Sequence, residues 1–436
     1  MIIYEFNNKS SAVFIWGTLF LIFGVPHFLD VLIHNNIYDI KSMNYASIFV
    51  IGFILNYYIL RIIFRRLFIN VDENNLYKKV LSEVHSKHLN ILFVILIIVI
   101  FLKITLYLRF TGGILNSSWA ELRNYVTNNN YLRFEQIIDI LYYSLAGVLI
   151  ALSEKRKKLK FIFLIVAYFL TVIITRNRIE MLPGICVIIS IYIFKSNRIN
   201  FKSILFGIFV SLIVIYLVYG LRAFRYYGTI DNFIKKFDFK DFNNTILNFF
   251  KTDNGELGLR KAFYYFISNE NNFEDFGKGL TYIRLFFLFI PSKLLFGLKP
   301  QEFALIIGKA LGMPIGGSFH PTLFGDCYAN CGMFGMFLGI YWAIYTTICD
   351  FIALKSNSKL WFDLVFVLSS IGYVIISRGS VYNGSYFIGY GILINLLLKF
   401  INDHFCFKKN FHGKKTLILK KRRKIWMKRL KLTYWN

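Results

Sequence analysis

The sequence predicts an all-α, polytopic membrane protein with about ten transmembrane helices and one long outer segment. Three observations carry this. Hydrophobic residues make up 56% of the 436-residue chain, and aromatics 19%. Mean hydropathy is +0.52, and apolar runs near the length of a bilayer crossing recur throughout, which excludes a soluble globule. Lysine and arginine gather in the loops around Arg65, Lys155, Lys195 and Lys355 and in the tail from Lys408. Placed on one side, they put both termini in the cytoplasm and residues 221–325 outside. The formal net charge of +27 is explained by this topology, since neither a zinc pattern nor an aromatic RNA-binding signature accompanies it. No nucleic-acid partner is expected.

The elements follow in order. Residues 12–33 form a first span that is too long for a signal-peptide core and is therefore retained. Further spans are expected at 45–63, 90–108, 137–152, 161–175, 181–194 and 203–219, so that 1–220 holds seven. The segment 221–325 mixes aromatic and charged residues, and within it 282–296, broken by Pro291, reads as an interfacial or re-entrant helix. Residues 326–401 hold the last three spans, at 328–354, 360–376 and 386–401. The tail, 402–436, is basic and amphipathic, suited to anionic membrane lipids. Five cysteines, Cys186, Cys327, Cys331, Cys349 and Cys406, give no disulfide framework or metal quartet.

The stretch 312–340 concentrates the chemistry. Pro314, Gly316, Gly317 and Pro321 make its first half a loop around His320 and Asp326. Its second half becomes a helix whose Gly332, Gly335 and Gly339 permit close approach to a neighbour. His320 is the candidate general base, because imidazole accepts a proton near neutral pH. Asp326 either supports it or caps a helix, and Tyr328 and Asn330 are candidates for binding sugar hydroxyls. Cations in the short outer connections run against the insertion bias, and apart from Lys41 they are arginines: Arg109, Arg123, Arg133, Arg176, Arg178 and Arg378, with Arg222, Arg225 and Arg284 in the long outer segment as further candidates. Guanidinium binds phosphate through paired, charge-assisted hydrogen bonds, so these residues either seat a diphosphate or snorkel to lipid headgroups. No P-loop or dinucleotide fingerprint is present, so no cofactor is expected, and no metal ligands are assigned.

The run from Gly316 to Gly335, together with the Thr111-Gly112-Gly113…Arg123 loop and the Arg176/Arg178 turn, resembles the Wzy-type O-antigen polymerases. It departs from that family in carrying Asp326 where members often have glutamate. The arginine-x10-glycine pattern of some members occurs only as Arg378…Gly389. The resemblance implies a multi-pass enzyme of the bacterial inner membrane with a large periplasmic segment. Such an enzyme joins undecaprenyl-diphosphate-linked oligosaccharide repeat units, with a chain-length regulator protein as partner. His320, with Asp326 beside it, would then act as base while the arginines hold the diphosphate. Two alternatives use similar parts: an O-antigen ligase acting on lipid A-core, and a lipid-linked oligosaccharide flippase, which is not an enzyme.

Overall fold

The helix Lys359–Ser377 is apolar on every side, and all of its 19 residues except Val374 are buried. That pattern marks a core helix rather than a lipid-facing one. Residues 13–19, 132–154, 182–195 and 322–355 pack against it. The computed structural model describes residues 1–33, 39–69, 88–110, 113, 117–128, 131–196, 201–251, 255–271, 279–290, 292–295, 297–310, 319–355 and 358–401. Among the described residues every regular element is helical. The expected loop glycines Gly316 and Gly317, Thr111 and Gly112, Pro291 and the basic tail lie outside them.

Nine helices among the described residues are long and apolar enough to cross a membrane. They are Val13–Leu32, Ile40–Phe68, Leu89–Leu108, Leu132–Glu154, Lys158–Thr175, Gly207–Arg225, Thr322–Lys355, Lys359–Ser377 and Val381–Ile401. The chain thus has the character of a multi-pass membrane protein. The tenth expected span, 181–194, is the 14-residue helix Leu182–Lys195, shorter than these nine. It runs from the turn Arg178–Met181, next to Arg176 and its partner Arg225, to Ser196, whose carbonyl accepts from Lys9 Nζ near the start of the chain.

Two compact units divide the chain, Met1–Ile392 and Leu393–Asn436. The described part of the second is the end of the last helix. Within the first, the segment expected outside is short helices folded back on the spans: Ile230–Lys236, Phe239–Lys251, Arg260–Ser268, Leu280–Phe286 and Phe303–Ala310. Arg260 holds one of them down through Asp30, with Nε 2.6 Å from Oδ2 and Nη2 2.8 Å from Oδ1. Ile246 and Phe242 of another pack on Tyr219 and Ala223 of the helix Phe201–Tyr226. The expected interfacial helix is shorter than 282–296, since the helix Leu280–Phe286 ends before the 3-10 turn Ser292–Leu295. Its side chains Phe286 and Phe289 stand exposed, as an interfacial element requires.

The span expected at 328–354 starts earlier, at Thr322, and breaks at Gly332, where φ is +57° and the 3-10 turn Gly332–Phe337 intervenes. The three glycines therefore differ in purpose. At Gly339 a Cβ would lie 2.5 Å from the Phe53 carbonyl oxygen, so that helix touches Ile40–Phe68 backbone to backbone. At Gly335 it would meet the Cys327 carbonyl oxygen of its own chain turn at 2.3 Å, while Gly332 has open space and serves only the bend. A comparable approach joins Leu132–Glu154 to the core helix, where a Cβ on Gly147 would lie 2.4 Å from the Asp363 carbonyl oxygen. Gly147→Ala is expected to cost about 1–3 kcal/mol by forcing those backbones apart. Thermal unfolding of purified protein in detergent would register it as a lowered midpoint.

Two groups of buried charges in the spans are ion-paired. Arg61 reaches Glu5 with Nε 3.0 Å from Oε1 and Nη2 3.1 Å from Oε2, and the same guanidinium binds Asp350, Thr347 and Ser10. Lys103 pairs with Asp139 and, at 2.6 Å, with Glu180.

Candidate functional site

The core helix ends at Ser377, and Gly379 leaves it with φ +91°, its N–H donating to the Ile376 carbonyl at 2.8 Å. The Arg378 carbonyl is thereby turned outward and accepts from Thr322 N at 3.1 Å. This fastens the strand of residues 319–321 to the end of the core helix. A Cβ at Gly379 would stand 2.6 Å from Pro321 Cδ and 2.9 Å from Thr322 N, so only glycine lets the two segments close. Thr322 itself holds φ +66°, an unfavourable region for a β-branched residue. The result places His320 beside Arg378. Gly379→Ala is expected to displace His320 and lower whatever activity depends on it by about 10²-fold, since ångström-scale misplacement costs that much. Protein levels measured alongside activity separate this from simple loss of the protein.

A second arm carries Arg178. The helix Lys158–Thr175 ends with Arg176 in the left-handed region, φ +51°, and Asn177 Oδ1 accepts from Ile179 N to start the turn Arg178–Met181. Glu180 anchors this turn through Lys103. Arg176 is spent on backbone, donating to the carbonyls of Ser117 and Gly228, while its own carbonyl accepts from Arg225 Nε at 2.7 Å. Arg225 also stacks 4.5 Å over the Trp119 ring. These two arginines brace the turn rather than present a free fork.

Glu256 joins the arms. Arg378 grips it with both nitrogens, Nε 2.7 Å from Oε2 and Nη2 3.0 Å from Oε1. Arg178 Nη1 lies 2.8 Å from Oε1. Burial alone would raise the Glu256 pKa, but Arg378 and Arg178 hold it down at about 2. Arg222 approaches from the helix Phe201–Tyr226, its Nη1 2.4 Å from where a Gly255 Cβ would stand, and Gly255 adopts φ +93°. Burial also lowers the Arg178 pKa; Glu256 opposes this, and the like charges of Arg378 and Arg222 add to it.

His320 completes the group. Burial first, and then Arg378, push its pKa down to about 4, with Glu256 opposing and Arg178 adding. The imidazole is therefore neutral at pH 7, and its Nδ1 is buried without a hydrogen-bond partner among the described residues. Neutral imidazole beside guanidiniums is an arrangement that can take a proton while cations hold an anion.

Of the sequence candidates, the structure brings His320, Arg178, Arg378, Arg222, Arg225 and Arg176 to one end of the bundle. The rest are elsewhere. Asp326 is fully buried, with Oδ2 3.3 Å from Thr281 Oγ1 and Oδ1 3.3 Å from Asn330 Nδ2, so among the described residues its side-chain partners are those two and not His320. Asn330 is committed to Thr281 and Asp326, and the Tyr328 ring packs on Phe49 and Phe263. Arg123 pairs with Glu135 at 2.6 Å in a separate network that includes Tyr107. Arg284 donates to the Pro300 carbonyl and lies 4.2 Å over Tyr382, in a small cleft also lined by Asp326, Glu302, Phe303 and Gly379, the last of which adjoins Arg378. Sequence reasoning missed Glu256. An acid directly after a glycine, in a segment opposite an excess of outer arginines, was the available signal.

Fold and site together define a multi-pass helical membrane protein with an arginine, glutamate and histidine cluster at one end of its bundle. No protein-family model, curated protein or solved structure matches the chain.

Proposed function

We propose that the protein polymerises undecaprenyl-diphosphate-linked oligosaccharide repeat units on the periplasmic face of a bacterial inner membrane. The observation that carries this reading is that a neutral histidine and two fork-presenting arginines, Arg178 and Arg378, share one electrostatic cluster. In this reading both termini are cytoplasmic and the short helices between residues 221 and 325 face the periplasm, in keeping with the basic loops of the other side.

The reaction needs no nucleotide. The acceptor sugar hydroxyl attacks the anomeric carbon of the donor glycan, and its proton passes to His320. The anomeric C–O bond breaks, and its electron pair leaves with undecaprenyl diphosphate. Arg178 and Arg378 stabilise the charge that appears on that leaving group through paired hydrogen bonds. Arg222 adds positive potential, and Arg176 and Arg225 fix the turn that presents Arg178.

The polysaccharide banding pattern of a deletion strain tests the reading. Loss of a polymerase leaves core carrying a single repeat unit. A bare core would point to a ligase, and repeat units trapped inside the cell would point to a flippase; either result overturns the proposal.

A further inference from the structure

We propose that Glu256 is a resident carboxylate that occupies the seat formed by Arg178 and Arg378 and is displaced when a diphosphate enters. The inference rests on the diphosphate reading above. Both carboxylate oxygens are engaged, Oε1 by Arg178 at 2.8 Å and by Arg378 at 3.0 Å, and Oε2 by Arg378 at 2.7 Å. A phosphate would offer the same two guanidiniums the same pair of oxygens, so carboxylate and phosphate compete for one place.

The two arginines stand on fixed supports. Arg178 belongs to a turn tied by Glu180 to Lys103, and Arg378 ends the most buried helix and is fastened by Thr322 N. Glu256 begins the four-residue 3-10 turn Glu256–Leu259, directly after Gly255, whose φ of +93° only glycine adopts without strain. That turn is held at Leu257, whose N–H donates to Tyr219 Oη at 3.4 Å and whose carbonyl accepts from Arg260. The carboxylate itself is tied to the arginines alone among these contacts, so it can leave the seat by rotating its own side chain, and the turn then loses that tether while the two guanidiniums stay in place.

Charge favours the exchange. Arg178, Arg222, Arg225 and Arg378 repel one another across the cluster, and Glu256 contributes a single negative charge among them. A diphosphate brings more negative charge to the same guanidiniums and relieves that repulsion further.

The test uses the full-length protein in detergent with inorganic pyrophosphate as probe. Glu256→Gln keeps the shape and removes the charge, and should bind pyrophosphate at least about tenfold more tightly than wild type, since the competing occupant is gone. In wild type, hydrogen exchange over residues 256–259 should speed up when pyrophosphate is added. If wild type binds but the variant binds equally or less tightly, or if residues 256–259 become protected, Glu256 is a bracket for the arginines and the inference is overturned while the diphosphate seat stands. If neither protein binds, the seat falls and the inference with it. Should the variant not fold, the exchange measurement on wild type decides alone.

Discussion

His320→Ala is expected to leave cells with single-repeat products, cutting polymer formation by roughly 10²- to 10⁴-fold, the usual yield of a positioned base. The protein should still reach the membrane. His320 packs at a loop end rather than in the bundle core, so its loss leaves the spans intact. Wild-type chain length in this variant, with normal protein levels, would remove His320 from the chemistry. The pH profile gives a second check. The reactive form is neutral imidazole, so activity is lost as pH falls through the pKa. In the free protein that value is about 4, lowered by burial and by Arg378. The acid limb of kcat/KM should therefore lie well below neutrality. Bound diphosphate offsets the arginine charge that depresses His320, so the limb of kcat should lie at higher pH. The reverse order of the two limbs is incompatible with His320 and the arginines serving one substrate.

Arg61→Met is expected to be the most damaging single change to stability, costing about 3–5 kcal/mol. The substitution keeps the apolar stem but strands the buried Glu5 without a guanidinium and leaves the buried Asp350 only Arg65, at 3.3 Å, and the Ser10 hydroxyl. Removing the charge of one partner as well, in the double variant Arg61→Met, Glu5→Gln, should restore part of the loss, because one fewer charge is left alone. Unfolding midpoints of the three proteins in the same detergent measure the difference. A double variant no more stable than the single one would show that packing, not charge pairing, sets the cost.

The membrane character was legible because the apolar runs are long and the basic loops fall regularly between them. The stretch 181–194 shows how local that signal is: the apolar run and the helix Leu182–Lys195 have the same 14-residue length, with the turn Arg178–Met181 and Pro183 at its start. Of the loop expected from Pro314, Gly316, Gly317 and Pro321, only residues 319–321 are among those described, and the docking of His320 on Arg378 depends on Gly379, 59 positions away in the chain. Asp326 shares a motif with His320 yet lies inside the helix Thr322–Cys331, on the side of Thr281 and Asn330. Proximity in sequence had suggested a partnership that helical geometry does not make. The acid that acts on His320 comes instead from Glu256, in a segment whose mixed charges gave its position no special weight. The arginines divided for a related reason: composition ranks them alike, but backbone carbonyls claim Arg176 and Glu135 claims Arg123.

The Arg61 cluster also fixes an order of events during synthesis. Glu5 and Arg61 emerge early, whereas Asp350 follows 289 residues after Arg61. At bacterial or eukaryotic elongation rates that gap is roughly 15–60 s. For that interval Arg61 has Glu5 but not Asp350 to pair with, and the completion of the cluster waits for the third member. A nascent chain stalled before Asp350 should therefore be the form most readily taken by membrane quality-control proteases.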